Sequence, residues 1–250
     1  MNVHNVRMGR ASVVLALLLT GVTLVSAHAN QPQTEAAQAS VVASGSLSPL
    51  AARFVETRRE PDHPASGSDW YFVRSDARIQ TTQQDYAEVW ERDERGEITW
   101  TRVFHGDQKV IEYTTGELRA QRRIRDWTDL ATIVDRQTLS RLEKRGTTTV
   151  LERPAVRYVG RLGDEQVVVV WLPQEAIPAK LVRKQGGVTH ILELKELRAA
   201  PDSSWPTRTL EQTDAYERVD AADLGDRESE PFVRKVLALD AGTGRHSHAH

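Results

Sequence analysis

No stretch of this chain restricts its fold more than Val156 to Ala199, which reads VRYVGRLGDEQVVVVWLPQEAIPAKLVRKQGGVTHILELKELRA. The run from Val167 to Leu172 is unbroken, apolar and rich in β-branched residues. It is too short for a buried helix and predicts a strand covered on both faces. Gly163-Asp164 and Gly186-Gly187 each separate two such runs at hairpin spacing. Pro173 and Pro178 bracket Gln174 to Ile177, and proline lacks the N–H that a central strand must donate, so a crossover or an edge loop is expected there. From His190 to Leu197 neither alternating face is purely apolar, which predicts a strand near a sheet edge.

The remainder extends that sheet or covers it. Leu50, Phe54 and Val55 predict a short helix over one end, and Arg59 to Ser68, with Pro61, Pro64 and Gly67, a loop. Asp69 to Thr115 reads as an antiparallel meander. Trp70, Phe72 and Arg74 alternate with Tyr71 and Val73; Tyr86, Glu88 and Trp90 with Ala87 and Val89; Ile98, Trp100 and Phe104 share a face that Arg102 interrupts. Asp93 to Gly96, His105 to Asp107 and Thr115-Gly116 supply turns. Asp126 is placed to cap a helix carrying Trp127, Leu130, Ile133 and Val134. The phase slips before Leu139 and Leu142, so two short helices or one kinked helix should end near Gly146, with strand resuming at Thr147 to Leu151. Strands, a helical insertion, then strands again make an α+β arrangement with helices gathered on one side. A last strand is expected at Thr207 to Leu210, then a helix capped by Ser229 and carrying Phe232, Val233, Val236, Leu237 and Leu239.

The N-terminus specifies a compartment. Arg7 and Arg10 precede an apolar run from Ala11 to Val25, and Ala27-His28-Ala29 has the small-x-small form of a signal-peptidase site. The expectation is a secreted, periplasmic protein cleaved after Ala29 and left without a membrane-spanning segment; a retained N-terminal anchor is the alternative. The organisation that follows is a signal peptide over 1–29, a disordered linker over 30–48, a sheet domain over 49–212, a C-terminal helical extension over 213–241 and a flexible histidine-containing tail over 242–250. The chain has no cysteine, which excludes disulfides, thiol chemistry and lipid attachment at an N-terminal Cys. With 33 basic and 35 acidic side chains evenly mixed, it carries no electrostatic footprint for nucleic acid. The local cluster Arg119, Arg122, Arg123, Arg125 reads as a solvated hinge.

The order of elements resembles the periplasmic lipoprotein-carrier superfamily, LolA-like, which includes periplasmic stress-sensor regulators. The features that carry the resemblance are the leader, the aromatic meander, the helical insertion, the valine strand ending Trp171-Leu172-Pro173, Ile177-Pro178, and the hairpin at Gly186-Gly187. It spans roughly Trp70 to Leu197 as a pattern of strands and turns. It implies an antiparallel half-barrel, an incomplete β-barrel whose concave apolar face is covered by helices and accepts acyl chains. On this sequence the lining would come from Trp70, Phe72, Trp90, Trp100, Phe104 and Trp171; ordinary core packing is the competing account of those rings. The expected partner is an apolar ligand: an acyl chain, a lipoprotein or a hydrophobic segment of an envelope protein.

Catalytic signatures are missing from the sequence. There is no Gly-x-Ser-x-Gly elbow, no phosphate-cradling glycine loop and no His-Glu-x-x-His, so a non-enzymatic protein without a cofactor is expected. His105 and His190 could serve as general bases, but each reads as a surface residue beside a turn. The alternative function is metal handling, because His246, His248 and His250 could hold Cu, Ni or Zn weakly on the mobile tail. Asp220, Asp223 and Asp226 lack the ligand alternation and glycine of a calcium loop and read as charge before the terminal helix.

Overall fold

A computed structural model describes residues 47–207 and 211–243. The leader, most of the linker and the three tail histidines lie outside the described residues. Twelve strands form one open sheet: β1 (Leu50–Glu60), β2 (His63–Arg74), β3 (Arg78–Gln83), β4 (Tyr86–Arg92), β5 (Ile98–Phe104), β6 (Lys109–Tyr113), β7 (Glu143–Val150), β8 (Arg153–Leu162), β9 (Glu165–Leu172), β10 (Ile177–Gln185), β11 (Val188–Arg198) and β12 (Glu217–Asp220). Their spatial order is β12-β6-β5-β4-β3-β2-β1-β11-β10-β9-β8-β7, antiparallel throughout except for the β12–β6 pair. Between β6 and β7 come three short helices, α1 (Thr115–Ala120), α2 (Trp127–Thr132) and α3 (Arg136–Ser140); α4 (Pro231–Thr243) closes the described chain. This is the expected α+β half-barrel.

The first strand in sequence lies near the middle of the sheet, where it joins the β2–β6 meander to the β7–β11 half. Leu50 to Glu60 is therefore not a helix covering an end. Its alanine, leucine, arginine and glutamate suit a helix, but pairing with β2 on one side and β11 on the other fully buries Ala51, Ala52 and Phe54. The loop expected at Arg59 to Ser68 is instead the end of β1, the turn and the first half of β2. Pro64 is tolerated there because β3 pairs only with Tyr71 to Arg74, leaving that part of β2 with a free outer edge. β11 is interior as well, not an edge. Its mixed faces are explained by cross-strand ion pairs such as Arg53–Glu196 and Lys180–Glu193. No crossover interrupts Pro173 to Pro178: a four-residue turn joins neighbouring β9 and β10, and Pro178 falls where the register shifts.

The valine strand is covered unequally. Val167, Val169 and Leu172 are buried, whereas Val168, Val170 and Trp171 are half-buried. Gly186 and Gly187 hold φ of 57° and 83°, as a two-residue turn from Gln185 to Val188 requires. Thr115-Gly116 begins a helix rather than a turn: Thr114 and Glu117 cap α1 reciprocally, a capping box that the sequence carried. Asp126 caps α2 as expected, accepting from the backbone of Thr128 and Asp129. The helices end at Ser140, and β7 already runs through Gly146. Residues 208–210 of the expected last strand lie outside the described residues; the final described strand is β12, running parallel to β6. α4 begins at Pro231, with Phe232, Val233 and Val236 buried in the main core.

Candidate functional site

Residues directly opposite in an antiparallel pair share a face, so the register assigns the sheet's inner surface. Phe54 faces Trp70 and Ala52 faces Phe72; Arg74 faces Ile79, Ile79 faces Trp90, Trp90 faces Trp100, Tyr86 faces Phe104, and Trp100 faces Tyr113. These rings form the main core, together with Leu118 of α1 and Leu130 and Ala131 of α2. Successive contacts chain them. Phe54 meets Trp70 edge-on at 5.4 Å, Trp70 stacks on Phe72 at 5.9 Å, Trp90 on Trp100 at 4.9 Å, and Trp100 on Tyr113 at 4.6 Å.

Packing is incomplete beneath α2. One cavity of about 280 Å³ is walled by Trp70, Phe72, Ile79, Tyr86 and Trp90 from the sheet and Leu130 from the helix, with Thr81, Gln83, Glu88, Arg125 and Asp129 adding polar groups to its wall. A second, of about 270 Å³, lies toward β10 and β11 and is walled by Leu181, Ile191 and Leu192 with Glu56, Arg183 and His190. Trp70 and Ile133 belong to both. Ile133 follows α2 with φ 69° and ψ −40°, a region where a β-branched residue is strained. The indole and the strained isoleucine are thus walls common to both spaces.

Of the six rings named from sequence, Trp70, Phe72 and Trp90 wall these cavities. Trp100 and Phe104 occupy the same face but stand back from the space: Trp100 lies between Trp90 and Tyr113, and Phe104 packs on Tyr86 and on Phe232 of α4. Trp171 shares the face of Trp70 by register, through Val169, Leu181, Leu192 and Glu56, but packs in a smaller cluster with Leu142, Leu162, Val167 and Val169 at the β8–β9 end of the sheet. Tyr86 and Glu88 share the strand face of Trp90 by period-two alternation and join it in the cavity wall, which alternation alone does not show. Ile133 carried no signal beyond helical spacing.

Polar groups at the walls have specific settings. The Tyr86 hydroxyl donates to Glu88 Oε1 at 2.5 Å and accepts from Arg102 Nε at 2.8 Å. Burial and the neighbouring Glu88 push that phenol well above its ordinary pKa. Burial and the nearby carboxylates of Asp126 and Asp135 raise Asp129, beside the larger cavity. His105 Nδ1 lies 3.2 Å from the Tyr216 hydroxyl, and His190 Nε2 lies 3.3 Å from Arg58 Nη1. Among the described residues, no three potential ligands gather around a common metal position, and His246, His248 and His250 lie outside them. No helix among the described residues is long and apolar enough to cross a membrane.

No protein-family model matches the chain, and no curated protein matches it. Solved structures do. One is PNGF-II, 9% identical with a TM-score of 0.39, matched over 72% of this chain and 32% of that one. MucB is 15% identical with a TM-score of 0.35, over 66% and 58%. A LolA superfamily protein from Nitrosomonas europaea is 8% identical with a TM-score of 0.31, over 62% and 88%. The chain spans about a third of the length of the first of these.

Proposed function

We propose that this chain is an exported, non-catalytic periplasmic protein that holds an apolar chain, an acyl chain or a hydrophobic protein segment, on the concave face of its half-barrel. The observation that carries this reading is the pair of cavities that share Trp70 and Ile133 as walls. Each, at about 270 and 280 Å³, is near the lower bound for small-molecule sites, roughly 300 Å³. Space left beside wide apolar rings favours an apolar occupant, since filling it removes more apolar surface from water. The reading requires no catalytic group. Export is supported by the leader at residues 1–29.

Titrating delipidated protein with a fluorescent fatty-acid probe tests it. The wild type should give saturable fluorescence that unlabelled fatty acid displaces. Trp70→Asp, which puts a charge in the wall common to both cavities, should lower affinity at least tenfold while the far-UV spectrum stays unchanged. Absence of saturable binding to the wild type would remove the ligand from the account.

A further inference from the structure

Besides Arg74, a second buried arginine lies on the floor of the concave face, behind Tyr86 and outside both cavity linings. Arg102 faces Ile111 across β5–β6, is 2% exposed, and is surrounded by the rings of Tyr86, Trp100 and Phe104 at 5.0 to 5.5 Å. Its counter-charge comes from α4: Asp240 Oδ1 is 2.8 Å from Arg102 Nη1, and Asp240 Oδ2 is 2.7 Å from Arg123 Nη2. One carboxylate therefore spans two guanidinium groups, with Arg123 itself lying over the rings of Trp100 and Tyr113. Along the same helix, Phe232 meets Phe104 edge-on at 5.0 Å, and Val233 and Val236 are wholly buried. The helix presents apolar residues and then an acid at positions 233, 236 and 240, all on one side.

We propose that α4 is a displaceable plug on the concave face, and that Arg102 and Arg123 beneath it form a carboxylate-recognition site for an acidic amphipathic helix of a partner protein. Such a segment would carry two apolar residues three apart and an acid four residues on, reproducing the seating of Val233, Val236 and Asp240. Charge complementarity selects it. A helix lacking the acid would leave the buried Arg102 guanidinium without its carboxylate among aromatic rings, a penalty against a wrong partner, whereas the half-exposed Arg123 would turn to water. A buried pair that served stability alone could be exchanged for apolar residues at little cost, whereas a recognition site could not. This site is separate from the cavities beside Trp70, so failure of fatty-acid binding leaves it standing, and its own failure leaves that reading intact.

A fluorescein-labelled peptide of residues 229–243 serves as probe, with the full chain as receptor. Because α4 competes in cis, wild type should bind it weakly, and the Asp240→Asn chain at least tenfold more tightly. Adding Arg123→Gln to that receptor, or Asp240→Asn to the peptide, should cancel the gain. Should Asp240→Asn fail to fold, the cysteine-free sequence allows a second arrangement. Asp107→Cys and Lys235→Cys, whose native side chains are in contact across α4 and the sheet, are bridged by a bismaleimide, and peptide binding should fall at least tenfold against the unbridged protein. Equal binding to wild type and Asp240→Asn, or a bridge without effect, would overturn the proposal. So would a bridge that forms between two copies, since α4 would then be a swapped interface.

Discussion

Arg74 and Arg102 are both about 2% exposed, yet their charges are accommodated differently. Arg74 donates to four backbone carbonyls, those of Ser48 at 3.1 Å, Ala131 at 2.7 Å, Glu175 at 2.5 Å and Ala176 at 3.5 Å. It ties the start of β1, the end of α2 and the β9–β10 turn together, and the carbonyl end of a helix suits a cation. Burial lowers its pKa to about 10. Arg74→Met should cost about 2–3 kcal/mol, since it strands those carbonyls, and Arg74→Lys should recover only part because an ammonium cannot reproduce the planar fork; urea midpoints measure both. Arg102 instead relies on the Asp240 carboxylate and the Tyr86 hydroxyl. The Tyr86 phenol is held above its ordinary pKa, so the folded protein keeps a proton that the unfolded chain releases. Its stabilising contribution is complete below pH 10 and is lost as pH rises beyond that value. Between pH 9 and 11.5 wild type should therefore lose stability more steeply than Tyr86→Phe, as shown by urea midpoints at each pH. Parallel slopes would contradict this.

At the scale of elements, two hairpins of the same form use opposite chemistry. The β10–β11 turn has Gly186-Gly187 at positive φ, whereas the β7–β8 turn, from Val150 to Arg153, places Leu151 and Glu152 at φ 48° and 62°. Leu151 is exposed, so little packing offsets that strain. Replacing the pair by Asn-Gly should stabilise the protein by about 1 kcal/mol, visible as a higher Tm. A second strained position gives a contrasting prediction. Ile133→Gly removes a side chain but also relieves its backbone, so it should cost less than about 1 kcal/mol, whereas Leu130→Ala in the preceding turn should cost about 2–4 kcal/mol. The same contrast explains what could be read from sequence. Glycine pairs, the Asp126 cap and the alternation of Trp70 with Phe72 are local signals, and each led to the correct element. The identity of β1 is set by its two neighbours, β2 and β11, which lie 3 and 128 or more residues from its end, and its helix-forming composition cannot report them. Register puts Trp70, Trp100 and Trp171 on one face, and it is the packing above them that leaves Trp70 bordering the open space; strand alternation gives the face but not that depth.

For the whole molecule, the open sheet keeps its rings on one side and gathers three short helices over them, while β12 and α4 cover the far end. The opposite side is dressed differently: Tyr71, pointing away from Trp70 by strand alternation, packs on Trp205 at 5.3 Å. That division makes the central claim testable with the protein's own indoles. Fatty acid brominated along its chain quenches tryptophan fluorescence only within close range, so titration into the delipidated wild type, Trp70→Phe, Trp70→Phe combined with Trp90→Phe, and Trp205→Phe reports where the chain sits. The account predicts saturable quenching that Trp70→Phe reduces, that Trp70→Phe combined with Trp90→Phe largely removes, and that Trp205→Phe leaves unchanged. Quenching that survives in the combined variant and vanishes in Trp205→Phe would place the apolar occupant on the wrong side of the sheet and contradict it.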